Sequence, residues 1–206
     1  MYLKRAKADK KWPIPRKGSK YIAVATHERK NSIPILLILR DILKLAENRK
    51  EAKKIINSGQ IIINNKKIKN ERFPVLPFDI VKIGDKNYKL KISERGKIDI
   101  EETKETDRIH KIIGKKTLKN GKIQFNLLFG ENIISNKKIK IGDSIIIKDK
   151  SVSEIIPLEE NKNAVIMFGK NAGKMGKIEK IEDKKVILKV QNQEVISLIK
   201  NIFVIK

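Results

Sequence analysis

The sequence predicts a multi-domain α+β protein, mostly β, whose partner is a polyanion. Three observations lead there. Short Ile- and Val-rich runs of strand length recur from about residue 60 to the end, separated by Gly, Asn and Asp turn signals. A helical period of apolar residues appears only in one region, between about residues 35 and 57. Lys and Arg number 48 against 24 Asp and Glu, a formal net charge of +24, which is the electrostatic footprint of a nucleic-acid binder.

The charge is spread along the whole chain. Residues 1–31, 32–79, 80–157 and 158–206 carry net charges of +8, +5, +7 and +4, so each of these four expected domains faces the partner. The chain has no cysteine and only two histidines, His27 and His110, so disulfide and zinc-ribbon readings fail. No signal peptide or apolar run of about 20 residues is visible, and a cytosolic protein without a membrane span is expected.

Residues 1–31 are expected to form an extended basic arm carrying Lys4, Arg5, Lys10, Lys11, Arg16 and Lys17. Pro13 and Pro15, two apart, block a helix and favour extended backbone. Trp12, the only tryptophan, lies outside any apolar period. It either stacks on a base or ribose or docks on the first domain, and docking is the commoner fate of a lone tryptophan.

Residues 32–79 are expected to form a compact module. Ile35, Leu36, Leu39, Ile42, Leu43 and Ala46 recur at three- and four-residue steps, the mark of a buried helix face, and Pro34 stands where a first turn accepts it. Arg40, Asp41 and Lys44 take the other side. Asn48 followed three residues on by Glu51 reads as the cap of a second helix running through Ile56, and Gly59 ends it. Residues 60–63, the Asn64-Asn65 pair and residues 66–68 then predict a hairpin.

Residues 80–157 read as a central β-rich domain, with strands over 79–83, 88–92, 122–129 and 144–147 and turns at Asn120-Gly121 and Gly142-Asp143. Ile141-Gly142-Asp143 echoes Ile83-Gly84-Asp85, which suggests similar turns. Glu101, Glu102, Glu105 and Asp107 invite an acid/base or Mg²⁺ reading. They lie in a polar stretch with nothing to desolvate them, so a solvated surface is expected instead.

Residues 158–206 contain five short strands, and a small SH3-like barrel is expected, with turns at Asp183-Lys184-Lys185 and Gln191-Asn192-Gln193. Between the first two strands lies a loop with Gly169, Gly173 and Gly176 interleaved with Lys170, Lys174 and Lys177. Backbone bared by glycine lets phosphates or flipped bases come close, with the lysines supplying charge.

This strand–loop–strand resembles the KOW motif of ribosomal proteins and of NusG/Spt5-type elongation factors. The helix–link–helix–Gly–hairpin of 32–79 resembles the alpha-L RNA-binding module, carried by Asn48-Arg49-Lys50-Glu51-Ala52 and Ser58-Gly59-Gln60-Ile61-Ile62-Ile63-Asn64-Asn65-Lys66. Asn64-Asn65 stands where that module usually has Asn-Gly. The resemblance implies that Arg49, Lys50, Lys53 and Lys54 lie along RNA backbone, with Arg40 and the hairpin lysines Lys66 and Lys67 nearby. Composition alone reads the same residues as a solvated helix face.

The order of parts, from the Trp12-Pro13-Ile14-Pro15-Arg16-Lys17-Gly18 arm through alpha-L module and central β-domain to KOW barrel, is similar to one family. It is small-subunit ribosomal protein four of the archaeal and eukaryotic type. Further support comes from Leu3-Lys4-Arg5, Ile33-Pro34-Ile35-Leu36, Phe78-Asp79-Ile80-Val81 and Asn201-Ile202-Phe203-Val204-Ile205. Thr26-His27-Glu28-Arg29-Lys30-Asn31 departs from the family's Gly-Pro-His-type link, and the chain stops just after Ile205, which points to an archaeal source.

The resemblance implies a structural component of the small ribosomal subunit in the cytoplasm, whose partners are its ribosomal RNA and neighbouring ribosomal proteins. No catalytic residue, metal, cofactor or homo-oligomer is expected. The alternatives are a ribosome assembly factor, a transcription elongation factor using the KOW element, and an RNA-modifying enzyme. A pseudouridine synthase needs a catalytic Asp in a dedicated large domain, and the central residues offer no such motif.

Overall fold

The Ile- and Val-rich runs become a succession of short antiparallel strands with little helix in the computed structural model, which describes residues 2–148, 151–191 and 193–205. The chain divides into two units, residues 1–92 with 97–106, and residues 93–96 with 107–206.

In the first unit the expected extended arm is folded. Strand β1 (Tyr2–Lys4) pairs antiparallel with β2 (Tyr21–Ala23), placing Leu3 opposite Ile22. Trp12 is 6% exposed, and its indole Nε1 donates to the Ser32 carbonyl at 3.0 Å. The Lys11 carbonyl accepts from the Ile98 amide at 2.9 Å. Leu3, Trp12, Ile14 and Ile22 are too widely spaced to show a period in sequence, yet all four pack in one core. Docking describes Trp12; its ring is not a surface platform.

β3 (Ile33–Pro34) leads into α1 (Ile35–Leu37), which widens at once into a π-helical turn over Ile38–Ile42. The period predicted a longer α-helix. The Leu43 amide donates to the Ile38 carbonyl at 2.9 Å, five residues back instead of four, which widens the turn, and residues 35–39 are all buried. α2 (Arg49–Asn57) matches its sequence signals. The Asn48 side chain accepts from the Glu51 amide at 3.0 Å, and the Glu51 carboxylate accepts from the Glu47 amide at 2.8 Å, an arrangement that contributes about 1 kcal/mol. Gly59 follows with φ +76°.

β4 (Ile61–Ile63) and β5 (Lys66–Lys67) form the expected hairpin, with Asn64 and Asn65 both at positive φ, as its two-residue turn requires. β6 (Pro74–Val75) returns to pair with β3. β7 (Ile80–Ile83), β8 (Lys86–Ile92) and β9 (Ile98–Thr103) then extend the hairpin into one sheet of order β5-β4-β7-β8-β9. The expected boundary at residue 79/80 falls just before β7, so the hydrogen-bonded neighbours β4 and β7 stand on either side of it.

The acidic stretch that held no expected strand is β9. Ile98 is buried and Ile100 half-buried, while Glu101 and Glu102 are exposed. Glu102 pairs with Lys86 at 3.2 Å, Glu101 with Lys91 and Glu105 with Lys89. In the second unit Asp107 pairs with Lys148 at 2.8 Å. A solvated surface is what these residues form, each neutralising a lysine.

The second unit holds two five-stranded antiparallel sheets. β10 (Ile109–Thr117), β11 (Ile123–Leu127), β12 (Asn132–Ser135), β13 (Ser144–Lys148) and β14 (Ser151–Ile156) run in the order β12-β11-β10-β13-β14 around Ile112, Phe125, Leu127 and Ile145. β15 (Asn163–Ile166), β16 (Met175–Glu182), β17 (Lys185–Val190), β18 (Gln193–Leu198) and β19 (Ile202–Val204) run in the order β18-β17-β16-β15-β19. These are the five expected terminal strands, and they share one sheet. Asn192, in the expected 191–193 turn, lies outside the described residues.

The predicted echo of turns exists at a different place. In Leu76–Asp79 and Lys140–Asp143 the third residue, Phe78 or Gly142, has positive φ. In each, the Asp carboxylate accepts from the amide of the first residue at 2.8 Å. The same four-residue clamp thus opens β7 and β13, whereas Gly84-Asp85 is an exposed hairpin tip.

Lys111 on β10 is 2% exposed, and its ammonium donates to the carbonyls of Ile199 and Ile202, tying β10 to the start of β19. Burial pushes it down to about 8. Between that value and the ordinary lysine value of about 10.4 the unfolded chain holds a proton that the folded chain has shed, so the group makes stability rise with pH. Lys111→Met leaves two carbonyls without their donor and is expected to cost about 1–3 kcal/mol near neutral pH. The wild-type advantage, measured by denaturant unfolding, should be flat below about pH 8 and grow from there towards about pH 10; a profile flat across the whole range contradicts the burial of a titrating ammonium.

Candidate nucleic-acid interface

α2 buries Ala52 and Ile56 and leaves Lys50, Lys53 and Lys54 exposed, as its spacing dictates. Arg49 belongs to the same expected row but is held differently. Its Nε donates to both Glu71 carboxylate oxygens at 3.1 and 2.9 Å, and its terminal nitrogen closes the pair. Glu71 is 8% exposed. The guanidinium bonds hold its carboxyl below the ordinary range against the opposing effect of burial, and hold the Arg49 guanidinium above its own. Arg49 and Arg72 each stand 5.8 Å from the Tyr2 ring centroid, which gives the start of α2 a guanidinium–aromatic cluster.

The other expected contacts divide by what already holds them. Arg40 pairs with its neighbour Asp41 at 2.7 Å. Arg5 donates to the Ser19 carbonyl at 2.8 Å and the Pro15 carbonyl at 2.6 Å, folding the 15–19 loop back on itself. Lys11 is half-buried and Trp12 is interior. Lys4, Lys10, Arg16 and Lys17 are exposed, as are Lys66 and Lys67 on β5, an edge strand of its sheet. Lys170 and Lys177 are exposed and Lys174 is half-buried.

The loop glycines are explained by the chain's own backbone. A Cβ on Gly173 would lie 1.7 Å from the Ser93 carbonyl oxygen, and one on Gly176 would lie 2.2 Å from the Lys189 carbonyl oxygen. Both positions require glycine so that peptide can meet peptide. Bared backbone for an approaching phosphate is not needed to account for them.

Several exposed cations escaped the sequence reading. Lys115, Lys116, Lys119 and Lys122 cluster at the far end of β10 and the turn after it. Their spacing around the Asn120-Gly121 turn was a legible charge run. Arg95, and the half-buried Arg72, were not legible, because each sits in a short link with no periodic neighbour.

A family model described as ribosomal family S4e matches residues 84–151, the S4 domain matches 38–81 and the KOW motif matches 160–191. Small ribosomal subunit protein eS4 of Methanothermobacter thermautotrophicus is 37% identical over 191 residues, covering 87% of this chain and 78% of that protein. The chain belongs to the S4e family of ribosomal proteins. The Methanosphaera stadtmanae eS4 is 34% identical and covers 99% of this chain and 91% of its own. The crystal structure of the 30S ribosomal protein S4e from Thermoplasma acidophilum superposes with a TM-score of 0.74 at 25% identity, covering 85% of this chain and 95% of that one.

Within this S4e chain the S4 match spans the π turn, α2 and the hairpin, so the exposed α2 lysines and the Arg49–Glu71 pair lie in one matched domain. Glu71→Gln removes the carboxylate that fixes Arg49, and because Arg49 is itself half in solvent the expected cost is about 1–2 kcal/mol. A carboxyl held low by its partner contributes above its ordinary pKa and loses that contribution as pH falls through its lowered one. Thermal unfolding should therefore separate variant from wild type at pH 6 and bring them progressively together as the pH falls below the ordinary carboxyl range; a gap that persists in acid assigns the effect to packing instead.

Proposed function

We propose that this S4e-family chain is a structural constituent of the small ribosomal subunit, resident on the ribosome in the cytoplasm, that binds its ribosomal RNA through several basic surfaces and touches neighbouring ribosomal proteins. The observation that carries the reading is its similarity, over most of both chains, to proteins named small ribosomal subunit protein eS4. The distribution of cations supports it. Lys50, Lys53, Lys54, Lys66 and Lys67 are exposed, and none makes an ion pair among the described residues.

The mechanism is phosphate neutralisation with release of counterions, and recognition of RNA shape rather than base sequence. The α2 lysines and hairpin lysines form the principal contact, with Lys4, Lys10, Arg16 and Lys17 adding to it. Arg5, Arg40 and Arg49 act mainly by holding the basic elements in place. We also infer that residues 158–206 close into a small SH3-like barrel, a reading supported by the meander β15–β18, the return of β19 to pair with β15, and the KOW match. Nothing in this function requires a catalytic step.

Sedimentation of native extract, with the protein quantified against other small-subunit proteins, tests residence. One copy per mature subunit after a moderate salt wash is expected. Presence only on immature particles makes it an assembly factor. Changing Lys50, Lys53 and Lys54 together to Ala should weaken binding to small-subunit RNA and lower the slope of log affinity against log salt by about 3, at about 0.9 per phosphate contact. An unchanged slope removes that face from the interface.

A further inference from the structure

We infer that the turn Ser93–Gly96 and the loop at residues 169–174 form one RNA-backbone-binding face, in which Arg95 acts together with Lys170 and Lys174. The inference rests on the RNA-binding reading above and names a site within it. The two segments are 73 or more residues apart in sequence yet belong to the same unit.

Their contact is backbone against backbone. A Cβ on Gly173 would lie 1.7 Å from the Ser93 oxygen and 3.2 Å from the Glu94 Cα. A Cβ on Gly96 would lie 3.5 Å from the Ala172 oxygen. Each segment is also braced internally. Gly96 N donates to the Ser93 carbonyl at 2.8 Å, Gly173 N to the Ile166 carbonyl at 2.7 Å, and Ala172 N to the Gly169 carbonyl at 3.2 Å. A turn and a loop locked this closely present their side chains as one surface.

That surface is cationic and uncompensated. Arg95 and Lys170 are exposed and Lys174 is half-buried, and none of the three makes an ion pair among the described residues. Glu94 is the one carboxylate in the two segments, leaving an excess of positive charge. By contrast Lys86, Lys89, Lys91, Lys148, Lys180 and Lys189 all have carboxylate partners.

RNA backbone is the occupant that this chemistry fits. The two segments expose no large apolar side chain; Met175, at the start of β16, is the one that stands beside them. A protein interface needs an apolar or aromatic centre, whereas phosphates need fixed donors and positive charge. Because the two segments are already locked together, little ordering remains to be done on binding.

The chain has no cysteine, so single cysteines can be introduced as tethers for an iron chelate that cleaves nearby RNA. Arg95→Cys, Lys170→Cys and Lys53→Cys are made in the full chain and bound to small-subunit ribosomal RNA of its own genome, transcribed in vitro. Probes at 95 and 170 are expected to cut the same RNA segment, and Arg95→Ala is expected to lower the salt slope by about one without changing thermal stability. Cutting from 170 but not from 95, or from the two at unrelated segments, overturns the shared face. Cutting from 53 with none from 95 or 170 overturns it too, by showing that this surface meets protein or solvent while RNA binding through α2 holds. Absence of cutting from all three, with no binding, is the failure of the RNA-binding reading itself.

Discussion

In a chain with twice as many basic as acidic residues, the position of each carboxylate decides which cations belong to the fold and which remain for a partner. Glu71 is taken inside and fixes Arg49. Asp79 and Asp143 are turned into acceptors for backbone amides and open interior strands of their sheets, β7 and β13. Glu101, Glu102 and Glu105 neutralise three lysines of the adjoining strand. An exposed pair of that kind adds little to stability. Its larger consequence is electrostatic, because β8 lysines that face carboxylates add little to the field of the surface.

What remains is a set of unpaired cations on elements whose geometry is already fixed. The α2 lysines stand on a capped helix whose other face is core, and the hairpin lysines on an edge strand behind a turn of two positive-φ asparagines. The lysines of the glycine loop stand on backbone locked against its own unit. Flexible lysines on rigid mounts suit recognition of a phosphate lattice: the backbone sets the spacing of the charges and the side chains absorb local variation. Arginines behave differently here. Arg5, Arg40 and Arg49 have found planar or paired acceptors within the protein, as their forked donors favour.

Local signals were legible and distant ones were not. The Asn48–Glu51 cap, Gly59, the Asn64-Asn65 turn and the five terminal strands all follow from neighbours in sequence. Trp12 could not be placed that way, since its hydrogen-bond partner is Ser32 and its cluster draws on strands from both ends of the unit. β10 was hidden for a related reason. Its buried positions include His110 and Lys111, polar residues that break an apolar pattern although Lys111 has two carbonyls waiting 88 and 91 residues on. The candidate interface shows the same limit, because Arg49 and Lys50 are adjacent and equivalent in sequence. Only Glu71, 22 residues away from Arg49, separates them.

The glycine loop shows how one motif supports two physical readings that structure can separate. Glycine at a basic loop is equally consistent with phosphate approaching the peptide and with peptide approaching peptide. At Gly173 and Gly176 the neighbouring atoms belong to Ser93 and Lys189, so the absent Cβ serves the fold, and the lysines alone are left to serve a ligand. This reading does not weaken the loop as a contact. A loop held open by glycine alone would have to order itself on RNA, whereas a loop whose Gly173 packs against a second turn arrives ordered and brings that turn's arginine with it. The motif's glycines and lysines therefore act at different levels, the first fixing the surface and the second charging it.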